Sequence, residues 1–403
     1  MPLPLYLLAL AVFAMGTSEF MLAGLLPDIA ADLDVTVGTA GSLTSAFAIG
    51  MVVGAPLLAA LARNRPGKSS LLGFVLVFLA AHVVGAATAS FPVLFATRVV
   101  AALANAGFLA VALTTAATLV SPDKKGRALA VLLSGTTVAT VAGVPGGAVL
   151  GTLLGWRATF WAVAALCLPA AIGILKGVPG RPVVEDGPGG PGLGAELAVL
   201  GRPRLLLVMV LGALVNAATF ASFTFLAPIV TGTAGLGDLW ISVVLVLFGA
   251  GSFAGVTVAG RLSDQRPGLV ITVGGPFLLL GWPAMALLSD RPAALLVLAF
   301  LQGALSFALG GTLITRILYE AAAAPTMAGS YATAALNVGA AAGPLIAAST
   351  LGTAAGNLGP LWASGLLVAT ALLVASVLRA SGRVWDRQQP DRPLGVVRPG
   401  RKG

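Results

Sequence analysis

GMVVGAPLLAALARNRPG, residues Gly50 to Gly67, returns 201 residues later as GSFAGVTVAGRLSDQRPG, residues Gly251 to Gly268. Gly50, Gly54, Leu61, Arg65, Pro66 and Gly67 coincide with Gly251, Gly255, Leu262, Arg266, Pro267 and Gly268. The offset is half of the 403-residue chain, and both copies follow the second apolar stretch of their half. An internal duplication accounts for the match better than chance does.

The stretches around these copies are long and apolar. Hydrophobic residues make up 58% of the chain and charged residues 9%, with a mean hydropathy of +1.00, against about a quarter charged in a soluble domain. A soluble fold is excluded. A helix needs about 20 apolar residues to cross the hydrocarbon of a bilayer, and breaking the chain at Pro, Gly and charge clusters yields twelve such stretches. In the first half they run Leu3 to Leu26, Thr39 to Leu61, Ser69 to Ala89, Phe91 to Leu119, Ala128 to Leu150 and Arg157 to Leu175. In the second they run Leu205 to Val230, Leu239 to Ala259, Leu269 to Leu288, Ala293 to Ile317, Met327 to Leu351 and Leu361 to Leu378. Leu3 to Leu26 is too long for a signal h-region and no small-residue cleavage site follows it, so it reads as the first span. The single cysteine, Cys167, excludes an intramolecular disulfide and reads as a packing residue.

A net charge of +9 raises nucleic acid or a membrane surface as partner, and the placement of the basic residues decides for topology. Twenty Lys and Arg fall in the even-numbered loops and the tail, two (Arg157 and Arg291) in the odd-numbered loops, and Arg98 alone inside a span. Basic loops resist translocation, so both termini are expected in the cytoplasm of a bacterial inner-membrane protein. No nucleic-acid partner is expected. Residues Pro179 to Leu200, with GPGGPG at Gly187 to Gly192, read as a flexible link between the halves. The expected organisation is a six-helix half over 1–178, a connector over 179–204, a second half over 205–380 and a basic tail over 381–403.

Two six-helix repeats with GRLSDQRPG at Gly260 to Gly268 resemble the major facilitator superfamily and its loop signature, carried here by Gly260, Asp264, Arg266 and Gly268. The first copy departs from it, with Arg63 where the second has Asp264. GVPGGAVLG at Gly143 to Gly151, followed by GWRATFW at Gly155 to Trp161, resembles the glycine-proline signature of the superfamily's antiporters. Its physics is legible directly: Gly143, Gly146 and Gly147 let helices approach closely, while Pro145 frees a carbonyl and kinks the span. GTSEFMLAGLLPDIAADLDV from Gly16, RVVAALANAGFLAVAL from Arg98 and YATAALNVGAAAGP from Tyr331 are similar to the actinobacterial chloramphenicol exporters. The first of these motifs is shared with sugar and purine exporters. The resemblance implies an all-α membrane protein of twelve transmembrane helices in two pseudo-symmetric halves, exporting a small drug, chloramphenicol or another amphenicol, as a monomer in exchange for protons and without a cofactor.

Buried ionisable groups are the candidates for proton coupling. Of 14 acidic residues only Glu19 lies within a span. A carboxylate in hydrocarbon costs several kcal/mol, a cost that protonation removes. Glu19 lies about 10 Å from the outer end of its span and Arg98 about 9 Å from the outer start of its own, so the two are expected to meet. His82, about 12 Å from the outer end of the third span, is a second proton candidate or a hydrogen-bonded helix contact. The 201-residue shift puts Thr219 on Ser18 but Phe220 on Glu19, so the acid is confined to the first half. Span seven offers Asn216, Thr219, Phe220, Phe223 and Phe225, a set suited to a neutral aromatic ligand with polar substituents. Asn105 and Asn337 are further membrane amides, either ligand contacts or helix ties. One His, one Cys and one membrane Glu build no common catalytic constellation, so an enzyme is not expected. The duplication suits alternating access rather than a channel.

Overall fold

The computed structural model describes residues 1–62, 67–121, 124–178, 192–265, 267–324 and 326–380. Among the described residues there is no strand, and twelve helices are long and apolar enough to cross a membrane. In the first half these are α1 (Leu3–Phe20), α2 (Val37–Ala62), α3 (Gly67–Ala87), α4 (Phe91–Thr118), α5 (125–154) and α6 (Trp156–Gly177). In the second they are α7 (Pro203–Thr224), α8 (Leu239–Gln265), α9 (Pro267–Leu287), α10 (Pro292–Glu320), α11 (Ala328–Leu351) and α12 (Gly359–Ala380). Hydrocarbon offers no partner for a backbone N–H or C=O, so each crossing must satisfy its own backbone as a helix. Proline at the first turn starts α4, α7 and α10, where its missing N–H removes nothing. Gly155, with φ +84°, reverses the chain directly from α5 into α6.

The duplicated glycines are the contacts that build each half. A Cβ on Gly50 would lie 2.6 Å from that of Ala102, and one on Gly54 3.0 Å from that of Ala106, so α2 rests on α4 at backbone distance. Their counterparts Gly251 and Gly255 face the backbone of Phe300 and Ala304, seating α8 on α10 in the same way. The halves meet through α2 with α11, α5 with α8, and the turn Met21–Gly24 that ends α1 with α7 and α8. Ser45 Oγ donates to Ala341 O at 2.7 Å and Ser330 Oγ to Ala55 O at 3.3 Å, both between α2 and α11. At the end away from the basic loops the halves are sealed. There a Cβ on Gly24 would reach Ala148 at 2.6 Å and Leu245 at 3.1 Å, and Gly41 leaves room for the Phe225 ring.

Two helices are broken. The α-helical part of α1 ends at Phe20 and passes into a 3-10 turn, Met21–Gly24. In α5 a π turn, Ala139–Gly143, precedes Pro145, and the Val144 N–H bonds five residues back to Ala139 O. Pro145 has no N–H to continue the α ladder, and the wide turn absorbs the defect.

The second part of the connector is ordered, contrary to the expectation of a flexible link. Leu193–Ala198 is helical and Val199–Gly201 forms a 3-10 turn. Glu196 is fully buried there. The N–H groups of Thr326 and Met327 donate to its Oε2 at 3.1 and 2.9 Å, and the Thr326 hydroxyl donates at 2.6 Å. Tyr331 Oη donates to the Glu196 carbonyl at 2.9 Å. The carboxylate thus caps the turn that leads into α11, at the end where the helix dipole favours a negative charge. The glycine-rich part, 179–191, and the tail, 381–403, lie outside the described residues.

Candidate functional site

The site grows from the break in α1. Helix carbonyls lose their intrahelical partners at such an end, and the dipole there favours a cation. Arg98, about two turns into α4 and 1% exposed, supplies both: Nη2 donates to Ser18 O and Nη1 to Ser18 Oγ, each at 2.7 Å. Its guanidinium also lies over the Phe47 ring, 4.6 Å from the centroid. Ser18 Oγ is 2.7 Å from His82 Nε2 on α3, and His82 Nδ1 is 2.8 Å from Phe78 O, one turn back. The Phe78 ring packs on the imidazole at 4.2 Å.

Glu19, next in sequence, is partly buried. Among the described residues it makes no hydrogen bond and no ion pair within 4.0 Å. Glu19 and Arg98 do lie at matching depth, but the guanidinium lands on Ser18 rather than on the carboxylate. The backbone end of α1 offers two acceptors in fork geometry, which suits a guanidinium better than one partly exposed carboxylate.

Phe20, the next residue, lines a cavity between the halves with about 320 Å³ of atom-free space, part of it open. Rings run through it in a chain: Phe20 lies 5.7 Å from Phe220 and 6.2 Å from Phe223, Phe223 lies 5.0 Å from Phe248, and Phe248 lies 6.3 Å from Phe307. Thr140 and Val144 of α5, Thr219 of α7, and Leu245, Gly249 and Ser252 of α8 complete the wall. No charged side chain is part of it. The hydroxyls of Thr140, Thr219 and Ser252 each donate to a carbonyl of their own helix, at 2.9, 3.0 and 2.7 Å. Each keeps acceptor capacity for a ligand.

A family model described as the Major Facilitator Superfamily matches residues 8–335. The chain belongs to the Major Facilitator Superfamily. A relative described as "Chloramphenicol resistance protein" from Streptomyces lividans is 79% identical over 379 residues, covering 94% of this chain and 97% of its own. "Inner membrane transport protein YdhP" of Escherichia coli (strain K12) is 32% identical over 356 residues, covering 87% of this chain and 90% of its own. Among solved structures, the crystal structure of a bacterial homologue of the human lysosomal transporter Spinster, inward-facing and unoccupied, superposes with a TM-score of 0.75. It is 17% identical and covers 94% of this chain and 96% of its own. The nucleoside transporter NupG (D323A mutant) gives 0.74 at 14% identity, over 94% and 98% of the two chains. These structural likenesses carry the fold alone.

In this superfamily member the glycine-proline signature of α5 separates into two faces. Gly143 abuts Thr17 and Phe13 of α1, and a Cβ on Gly147 would lie 3.0 Å from the Thr159 methyl and 3.7 Å from Met21 Cβ. Gly146 has nothing within 4 Å. Pro145 is buried between them. In the loop signature, Gly260 and Asp264 belong to the backbone of α8 and Gly268 to α9, while their side-chain surroundings and all of Arg266 and Arg63 lie outside the described residues.

Of the expected ligand contacts, Thr219, Phe220 and Phe223 line the cavity. Phe225 does not: α7 ends at Thr224, and the ring turns into the seal between the halves against Gly41, fully buried. The three amides face neighbouring helices or their own backbone. Asn216 donates to Leu336 O on α11 at 2.7 Å, Asn337 to Thr333 O at 3.0 Å, and Asn105 to Met51 Sδ on α2 at 3.6 Å. Phe20, Phe248 and Phe307 carried no contrast in an apolar sequence. The repeat offset alone pairs Phe248, which stacks on Phe223, with Phe47, which stacks on Arg98.

Proposed function

We propose that this chain exports a small neutral drug of the amphenicol type across the bacterial inner membrane in exchange for protons. Both termini are cytoplasmic in this reading, the monomer is the working unit and no cofactor takes part. The observation that carries it is the cavity: five phenyl rings and three hydroxyl groups, no charged wall, set between two halves that alternate. The 79% identical relative is named for chloramphenicol resistance, which supports the same substrate class. A sugar would need many more polar groups from the wall than these hydroxyls supply. Glu19 is the proton carrier, because it is the membrane carboxyl of the chain and nothing among the described residues binds it. The 20 to 2 split of basic residues supports the orientation.

Expression in a sensitive, efflux-deficient host tests the reading. Chloramphenicol tolerance rises and drug accumulation falls, and a protonophore reverses both. Unchanged accumulation, with export of a sugar or purine analogue instead, overturns the substrate.

A further inference from the structure

The donors and acceptors around Ser18 admit one assignment. Arg98 only donates, so Ser18 Oγ accepts from Nη1 and Ser18 O from Nη2. Phe78 O only accepts, so His82 Nδ1 carries the imidazole hydrogen. The one hydrogen of the Ser18 hydroxyl then goes to Nε2, which accepts it. A neutral imidazole completes this chain. An imidazolium would reverse it: Ser18 Oγ, with two lone pairs, would accept from both Nε2–H and Nη1–H, and the hydroxyl hydrogen would lose its acceptor. The other residues facing the imidazole are the rings of Phe78 on α3 and Phe160 on α6, with centroids at 4.2 and 5.7 Å. The charged groups at hand are Glu19 on α1 and Arg98 on α4, and α2 presents Phe47.

We propose that Ser18 and His82 are positioning residues for proton coupling, in which neutral His82 orients the Ser18 hydroxyl, and Ser18 holds Arg98 on the end of α1 and off the Glu19 carboxylate. This rests on Glu19 as carrier in the reading above. The clamp leaves Glu19 without a fixed counter-ion, so its proton exchanges as the cavity changes sides. His82 carries no proton in the cycle; its work is to accept one hydrogen bond.

The consequence is a specific order among substitutions. His82→Gln keeps an acceptor oxygen at the place of Nε2, whereas His82→Leu does not. Ser18→Thr keeps the hydroxyl, whereas Ser18→Ala does not. Without an oriented Ser18 hydroxyl Arg98 keeps only its Nη2 bond to Ser18 O, so Nη1 is free to turn to Glu19, and a paired carboxylate is held in its charged form. Half-maximal drug–proton exchange then needs about tenfold more protons, a shift of the pH profile of roughly one unit toward acid.

The test is chloramphenicol-driven proton movement in proteoliposomes of the full chain, measured as a pH profile. Wild type without any coupled proton movement would refute the antiport reading itself. With wild type coupled, His82→Gln and Ser18→Thr are expected to keep the wild-type profile, and His82→Leu and Ser18→Ala to show the acid shift. Equal loss of coupling in His82→Gln and His82→Leu would make His82 a proton carrier and overturn the proposal. Wild-type profiles in His82→Leu and Ser18→Ala would overturn it too. Should His82→Leu fail to fold, Ser18→Ala and Ser18→Thr decide alone.

Discussion

Gly249→Ala is the sharpest test of how the halves are held together. Gly249 of α8 faces the π turn of α5 across the inter-half contact. A methyl there would lie 3.0 Å from the Thr140 carbonyl carbon and 3.2 Å from Val141 Cα, with the Thr140 oxygen nearer still. Carbon atoms settle at about 3.5–4.0 Å, so the two helices must part by roughly 0.5–1 Å. Overpacking of this kind costs about 1–3 kcal/mol. Only the conformation that brings α5 and α8 together bears the cost. The gain of about 1 kcal/mol in helix propensity over glycine is common to both conformations and cancels. The equilibrium therefore moves away from the arrangement described here by about 5- to 150-fold. Spin labels at Leu153 and Leu239, both exposed at the sealed end, report the change as a distance distribution. Cys167, buried with Sγ 3.3 Å from Val163 O, is first replaced by Ala. The control is Gly146→Ala on α5, which meets nothing within 4 Å and gains the same propensity. Identical distance distributions for Gly249→Ala and wild type would refute the reasoning.

Other expectations follow from single residues. Glu19→Gln is expected to abolish gradient-driven efflux while drug binding and folded yield persist; full resistance at normal expression would move the proton role elsewhere. Phe248→Ala, which removes a ring central to the chain of phenyl groups, should weaken drug binding by about 0.5–1.5 kcal/mol and, because the ring is buried, lower the melting temperature as well. Phe225→Ala should instead lose about 3–5 kcal/mol of stability at the seal and leave the binding constant of the surviving protein near wild type. A binding loss shared equally by the two would mean that the cavity wall is wrongly drawn. Glu196→Ala removes the carboxylate that accepts from the Thr326 N–H and hydroxyl and shares the Met327 N–H with Ala324 O, and should cost about 2–5 kcal/mol, seen as a lower melting temperature in detergent, with Glu196→Gln in between. An unchanged melting temperature in Glu196→Ala would show that the connector does not rest on α11.

The spans were legible because the bilayer asks one question of the sequence, the length of an apolar run, and answers it with a helix. Phe91 to Leu119 was expected and Phe91–Thr118 forms. The same measure does not show where the kind of helix changes along one apolar run. Span one, drawn to Leu26, stays helical to Gly24 but passes from α to 3-10 after Phe20, and span seven, drawn to Val230, passes after Thr224 into a short α turn and a π turn. Phe225 was grouped with the ligand contacts of span seven by residue type, and the change of helix after Thr224 turns its ring to the seal instead. The buried charges stood out because so few exist. Their partners did not, since Ser18 looks like any small residue and a backbone carbonyl leaves no mark in a sequence. Glu196 was read as part of a solvated connector because its donors, the N–H groups of Thr326 and Met327, lie 130 residues away.

In the function proposed above, the end of α1 lets one short segment serve both the proton and the drug. Successive residues on a helix point about 100° apart, so Ser18, Glu19 and Phe20 address three different neighbours. Ser18 meets Arg98 and His82, Phe20 meets Phe220 and Phe223, and Glu19 lies between them with no fixed partner. Within an unbroken α-helix these directions would be locked to the rigid turn on either side. Here the α-helix stops at Phe20 and the 3-10 turn follows, so a small rotation of the last α-turn moves the Phe20 ring without dragging the whole span. In the proposed cycle, a proton gained or lost at Glu19 would alter the field on the clamp on one side and, through the shared backbone, the seat of the ring on the other. Proton and drug would then compete through one helix end, with no relay longer than a single turn.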